Sequence, residues 1–452
     1  MRRTFFLTLS LLAACSRNAS LPEYPPSSDS RAFERAIRPN FSAQTIYSFQ
    51  LKAKAKSAIF PSSTLSVDAV GSLYGATSAT AGFRGGAGTI FKSSANRNAT
   101  LLARFAGRDG AYPSAVVADT TGALYGTTHE GGDLQCLPTL GCGAVFALRP
   151  RGSSYVRKIL YRFKGGSDGI DPGQLTMDAK GTLYGVTAEG GASSGCGGFG
   201  CGTVFRLSHE RFGYRESILY RFHGRSDGSR PLGAVVFDSA GNLFGVTAQG
   251  GECDRAGSGC GTIFELAASG SNYVEKTLYR FGGVSDGDGA FPTSITPPTP
   301  AGTLYGTTMA GGDDRCAGGC GTVFKLLWSR DRPVESIVLR FDPAPGGAPR
   351  QPSSLLLVAN ALYGATVVGG EETSYFFPHG YGTIFTVDLA TQSPRIVYDF
   401  RGPPDGAAPA GGLVAGLDGS LYGATSSGGT GECIDFTGCG TIYRFSAAPD
   451  LF

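Results

Sequence analysis

Short apolar runs alternating with polar residues, each bounded by Gly, Asp or Pro, recur along nearly the whole chain. One unit shows the pattern. Gln174–Asp178 is short and apolar, and Thr182–Thr187 follows across the turn Asp178-Ala-Lys-Gly181. A loop with Gly190-Gly191 then leads to Gly202-Thr-Val-Phe-Arg-Leu207, and Ser217–Phe222 closes the unit. Period-two alternation, β-branched and aromatic enrichment, and turn residues between the runs predict four strands, a to d. The core of strand b, Leu-aromatic-Gly-x-Thr, returns seven times. Its aromatic residues Tyr74, Tyr125, Tyr184, Phe244, Tyr305, Tyr363 and Tyr422 are 51, 59, 60, 61, 58 and 59 residues apart. A repeat of that period, four strands long, predicts an all-β, seven-bladed β-propeller with four antiparallel strands per blade. The chain opens on a lone d strand, Thr45–Phe49, and closes after a c strand, Thr441–Phe445. The N-terminal strand is therefore expected to complete the last blade and cover its edge.

Outside the repeat, Arg2-Arg3, the apolar run Phe5–Leu12 and Leu12-Ala-Ala-Cys15 read as a lipoprotein-type signal peptide over residues 1–15, resembling the bacterial lipobox with Cys15 as the lipidated residue. The Ser- and Pro-rich stretch 16–44 reads as a flexible tether, 45–446 as the propeller and 447–452 as a C-terminal tail. This places the protein extracytoplasmically, lipid-anchored in a bacterial cell envelope, facing the periplasm or the cell surface. The other ten cysteines fall in five close pairs: Cys136/Cys142, Cys196/Cys201, Cys253/Cys260, Cys316/Cys320 and Cys433/Cys439. Each pair lies between strands b and c. The spacing varies too much for zinc, so five local disulfides are expected, shaping loops more than holding the fold.

The combination Leu-Tyr-Gly-Thr-Thr, Gly-Gly, Gly-Thr-Val-Phe, Leu-Tyr-x-Phe, Asp-Gly and Pro resembles the choice-of-anchor GloVer tandem-repeat family of bacterial exported proteins, over roughly residues 45–445. The Asp-x-x-Gly-x-Leu-Tyr unit is also similar to NHL-type propeller repeats. The resemblance implies export with varied anchoring and carries no activity. Copy six departs most: it lacks the Cys pair and inserts Glu371–Tyr381.

A net charge of +3 with scattered Lys and Arg gives no basic stripe for nucleic acid. Repeated residues read as architecture: Gly for close approach, Thr for a strand-end hydrogen bond, and the Asp-Gly pairs at Asp109, Asp168, Asp227, Asp288 and Asp405 as turns, with a ring of calcium ligands as the sharper alternative. Non-repeated residues stand immediately before the Pro that opens each strand a: Phe60, Tyr112, Asp171, Arg230, Phe291, Gln351 and Ala408. In a propeller these surround one channel mouth, with Asp171 and Arg230 adjacent and able to pair. Two readings are open: a ligand site of mixed aromatic and polar groups, or simple caps between neighbouring blades.

Enzyme signatures are poor. Gly191-Ala-Ser-Ser-Gly195 fits a nucleophile-elbow pattern but lies in a disulfide loop. The four histidines occupy different repeat positions, although His129 and His379 could reach the mouth. No metal or cofactor site is indicated. The expectation is a monomeric, non-catalytic binding propeller for a glycan, peptide or protein. The alternatives are a lactonase- or lyase-like propeller enzyme with its site at the mouth, and a purely structural surface repeat protein.

Overall fold

A computed structural model describes residues 34–35, 41–50, 58–80, 87–93 and 98–446, apart from short stretches at 138–139, 193, 252, 254–258, 271, 284–286, 317, 330–331, 343–349, 432 and 434–436. Cys15 and most of the expected tether lie outside these residues. Seven antiparallel sheets are arranged as blades. Blade four is the most regular, with strands a to d at Ser229–Phe237, Leu243–Gln249, Thr262–Ser269 and Asn272–Arg280. In blades one, two, three, six and seven strand a is split, as at Gly169–Pro172 and Thr176–Met177 of blade three. The fold is the seven-bladed, all-β propeller that the repeat predicts.

The seventh blade takes its outer strand from the other end of the chain. Ser42–Ser48 pairs antiparallel with Thr441–Ser446, Ser42 opposite Ser446 and Ser48 opposite Thr441. It carries the same bulge, between Thr45 and Tyr47, that every other blade has between strands c and d, as at Val204/Phe205 in blade three. The strand begins at Ser42, ahead of the expected start at residue 45, and Phe41 stacks on Phe445 with ring centroids 5.6 Å apart. Glu34–Arg35, within the segment read as a tether, pairs in parallel with Arg395 and Ile396 on the outer edge of blade six.

Aromatic side chains join the blades. The Phe that ends each strand d meets the aromatic residue of strand c in the next blade edge-on or tilted. Phe222 meets Phe264 at 5.1 Å, Phe400 meets Tyr443 at 5.1 Å, and Phe49 meets Phe91 at 5.1 Å, which closes the ring. Such contacts prefer these geometries because the ring edge is positive and the face negative. They also explain the Gly in Leu-Tyr-Gly. A Cβ on Gly185 would lie 2.7 Å from the Phe205 ring, so only Gly lets strand b pass.

The repeated polar residues have equally local causes. The strand-b Thr hydroxyl bonds the first Thr of strand c, as Thr187 does with Thr203 at 2.8 Å. In each Asp-x-x-Gly turn the carboxylate accepts backbone N–H groups and the Tyr hydroxyl of Leu-Tyr-Gly, as Asp68 does from Ser72 at 2.8 Å and Tyr74 at 2.9 Å. Blade four has Phe244 at that Tyr position, and there the donor is Asn242 Nδ2, 2.8 Å from Asp238. All five expected disulfides are present. They are the mark of a protein folding in an oxidising, extracytoplasmic compartment. Among the described residues no helix is long and apolar enough to cross a membrane.

Candidate functional site

The seven residues before the strand-a prolines share one backbone conformation, and it is an uncommon one. Phe60, Tyr112, Asp171, Arg230, Phe291, Gln351 and Ala408 have φ of 58, 55, 59, 54, 54, 55 and 50°. This left-handed region is costly for any residue with a Cβ, most of all a bulky one. The neighbouring blade imposes it. Each N–H donates to a carbonyl that precedes strand c of the previous blade: Arg230 to Cys201 at 2.9 Å, Phe291 to Cys260 at 2.9 Å, Phe60 to Cys439 at 3.0 Å and Asp171 to Cys142 at 3.2 Å. The Pro that follows packs on a Gly of that blade; a Cβ on Gly202 would lie 2.5 Å from Pro231 Cδ. In five of the seven blade contacts the acceptor carbonyl belongs to the second Cys of a disulfide, so the staple shapes the strip of backbone that receives the next blade.

Capping between blades is thus a backbone function. All seven side chains are half-buried and differ in kind. Their arrangement corrects one expectation: Asp171 and Arg230 do not pair with each other. Asp171 Oδ1 lies 2.6 Å from His129 Nδ1, and Arg230 Nη1 lies 3.1 Å from Glu189 Oε1. His129 and Glu189 stand at the end of strand b in the preceding blade, Leu124–Glu130 and Leu183–Gly190 respectively. Strand b of one blade packs directly on strand a of the next, so the end of strand b is nearer to each strand-a side chain than the next strand a is.

Blades two to four therefore carry a charged arc: Tyr112, His129, Glu130, Asp171, Glu189 and Arg230. Burial pushes the Glu130 carboxyl up, Asp171 adds to that, and His129 opposes it. Glu189 is likewise raised by burial, with Arg230 pulling it down and Asp171 pushing it up. The His129 side chain is 47% exposed at the mouth; the surrounding protein still lowers the imidazole, but its bond and charge interaction with Asp171, together with Glu130, outweigh this and raise it overall. Burial and then Glu130 raise the Tyr112 phenol. The rest of the ring, Phe291, Gln351, Ala408 and Phe60, is uncharged. The positions equivalent to His129 in the other blades hold Ser78, Ala188, Ala248, Met309, Val367 and Ser426, so the sequence repeat itself marks His129 as an exception.

The remaining candidates do not join this cluster. His379 is exposed, with its Nδ1 3.4 Å from Arg350 Nη2 in blade six. In Gly191–Gly195, Gly191 is tied to the Asp168 carbonyl at 2.7 Å, while Ser193 lies outside the described residues. Among the described residues no three His, Cys, Asp or Glu side chains converge in a way that could hold a metal ion. The Asp-Gly carboxylates are committed to local bonds: Asp168, Asp227, Asp288 and Asp405 accept the hydroxyls of Tyr161, Tyr220, Tyr279 and Tyr398 at 2.8–2.9 Å.

The model of the Gloeobacter/Verrucomicrobia repeat matches residues 36–198 and 193–443. The chain belongs to this repeat family. No protein of curated function matches it. Among solved structures, a fungal alcohol oxidase of the AA5 family in complex with copper is similar over 88% of this chain and 76% of its own, at 11% identity and a TM-score of 0.53. A hypothetical selenium-binding protein from Sulfolobus tokodaii is similar over 82% and 86%, at 12% identity and a TM-score of 0.51. At such identities the likeness is one of fold.

Proposed function

We propose that this member of the Gloeobacter/Verrucomicrobia repeat family is an envelope-anchored binding propeller whose loop-face mouth captures a glycan, peptide or protein. The carrying observation is the division of labour at Phe60, Tyr112, Asp171, Arg230, Phe291, Gln351 and Ala408. The backbone N–H does the structural work, so Gly, which pays no steric penalty at positive φ, would serve an architectural repeat best. No Gly stands there; aromatic, acidic, basic and amide groups do at six of the seven and Ala at the other, at a strain of order 1 kcal/mol each. Mixed groups convergent on a rigid ring are what recognition needs. Strand direction agrees with display. The outer strand of blade seven starts at Ser42 on the face opposite the disulfide loops and ends at Ser48 beside them. A tether from a lipidated Cys15 would then enter from the far face and turn the mouth away from the membrane.

The test is capture on glycan and peptide arrays by the full chain and by Arg230→Ala. Loss of capture with an unchanged melting temperature supports the proposal. Equal capture by both, or none by either, refutes a site at this position. Replacing Cys15 with Ala should release the protein from the detergent phase, and unchanged partitioning refutes the anchor.

One observation favours a second reading, an enzyme at the mouth. His129 has Nδ1 engaged by Asp171, the arrangement that orients an imidazole for proton transfer through Nε2. Turnover of lactones or esters that vanishes in His129→Ala would replace the binding reading with this one.

A further inference from the structure

The seams between outer strands repeat a charge arrangement that the mouth does not use. Each Asp-Gly turn lies beside strand d of the next blade, and the seam residue is the strand-d residue paired with the Leu of strand c, or with its equivalent Phe445 in blade seven. At the first seam it is Arg157, which forms an ion pair with Asp109. At the next three the equivalent position holds Glu216, Glu275 and Glu335, facing Asp168, Asp227 and Asp288. At the last seam with an Asp, the equivalent position holds Ala43, paired with Phe445 as Glu216 is paired with Leu207. One seam is thus charge-complementary, one neutral, and three consecutive seams place acid against acid.

The surroundings do not neutralise those three. Asp227 and Asp288 are only 6% and 8% exposed. Asp168 Oδ1, Asp227 Oδ1, Glu216 Oε1 and Glu335 Oε1 are buried and without a hydrogen-bond partner. The arginine of each seam is partly occupied: Arg221, Arg280 and Arg340 donate Nε to the carbonyls of Ser167, Ser226 and Gly287 at 3.1, 2.7 and 2.9 Å. Between blades four and five the pair lies in a groove of about 450 Å³ lined by Tyr279, Arg280, Asp288, Glu335 and Arg340 among others. Asp168 and Glu216 each keep an orphaned acceptor oxygen; at the next two seams only Asp227 Oδ1 and Glu335 Oε1 do. There Glu275 accepts from Thr277 at 2.9 Å, Asp288 Oδ1 accepts the Gly289 N–H at 2.6 Å, and the Tyr220 and Tyr279 hydroxyls donate to Asp227 and Asp288. An orphaned acceptor lacks a donor, and protonating one acid of the pair supplies one.

We infer that these seams are proton-binding sites, in which Glu216, Glu275 and Glu335 take up a proton and share it with Asp168, Asp227 and Asp288, so that acid tightens the blade two-to-five arc and alkali loosens it. The charged and titratable neighbours are few. Glu216 faces Asp168, Arg221, Lys164 and Tyr161; Glu275 faces Asp227, Arg280, His223 and Tyr220; Glu335 faces Asp288, Arg340 and Tyr279. Burial first and the facing Asp second raise Glu216 and Glu335 to about 7, and Glu275 rises for the same two reasons. The ordinary glutamate carboxyl value is 4.5. A folded value above the unfolded one means the stabilisation is complete below the unfolded value and is lost as pH rises through the folded one. The window therefore runs from 4.5 to about 7.

Thermal unfolding of the full chain, without divalent cations, tests this from about pH 5 to about pH 9. The melting temperature of the wild type should fall by several degrees across the range. The triple variant E216Q/E275Q/E335Q keeps a donor that never ionises and should lose most of that fall. Equal falls in both proteins, or no fall in the wild type, overturn the inference. Should the triple variant not fold, infrared difference spectra of the wild type decide instead. A carboxylic acid C=O band near neutral pH that titrates away by pH 9 supports shared protons, and its absence overturns them. Calcium that restores the alkaline wild type to its acid-side melting temperature would assign the seams to a metal ion and also overturn it.

Discussion

His129 Nδ1 and Asp171 Oδ1 lie 2.6 Å apart across the boundary between blades two and three, joining two residues 42 positions apart in the chain. The pair holds the imidazole above its ordinary value of 6.5 against the opposing effect of the surrounding protein. Its stabilisation is therefore complete below 6.5 and is lost as pH rises through the higher folded value. The His129 ring protons, followed by NMR, should titrate above 6.5, and in Asp171→Asn the midpoint should move down. Asn also tolerates the left-handed backbone, so the fold is preserved. An unmoved midpoint would show that Asp171 does not govern His129.

The Arg230–Glu189 pair is partly exposed, at 33% and 24% for the side chains. Arg230→Ala should cost no more than about 1 kcal/mol of stability in denaturant unfolding, because solvent screens such pairs. A loss several times larger would mean that the guanidinium holds the two blades together, and would weaken the case for a ligand.

Gly and β-branched substitutions at Gln351 should act in opposite directions. Gln351→Gly keeps the N–H bond to the Cys320 carbonyl at 3.2 Å and removes the left-handed strain, so stability should hold or rise by up to about 1 kcal/mol. Gln351→Val should cost about 1 kcal/mol or more. Urea midpoints for the two variants decide it, and equal midpoints would mean that the backbone strain is not felt.

Blade two supplies an internal control for the threonine pairs. Thr187 bonds Thr203, whereas Thr128 faces Ala144 and its buried Oγ1 has no partner. Thr187→Val should destabilise by about 1–3 kcal/mol, since it strands Thr203 as well, while Thr128→Val should be neutral or stabilising. Equal losses in the two variants would count against the hydroxyl account.

Phe49 packs on Phe91 across the boundary between blades seven and one, beside the ladder of Ser42–Ser48 with Thr441–Ser446 that joins the two ends of the chain. Phe49→Ala should cost about 3–5 kcal/mol, as for other large buried aromatics. Hydrogen exchange should then show opening first along Ser42–Ser48, the strand that joins blade seven from the other end of the chain. Uniform loss of protection around the ring would place the weak point elsewhere.

Blade number, strand order, the disulfide pairs and the shifted start of the ring were legible in the residues, because each follows from contacts within one repeat copied seven times. Leu-Tyr-Gly, Thr and Asp-x-x-Gly meet partners within about two dozen positions, so their meaning survives in a linear reading. The ring of variable residues was also visible, since Pro marks each position. Its conformation was not. A residue before Pro is expected to be extended, and only the carbonyl and Gly of the preceding blade drive Phe60 or Tyr112 to positive φ. The partners of its side chains were equally hidden. Whether Asp171 meets Arg230 or His129, and whether Asp168 meets an arginine or Glu216, depends on how closely one blade packs on the next. That distance belongs to the closed ring and to no single repeat.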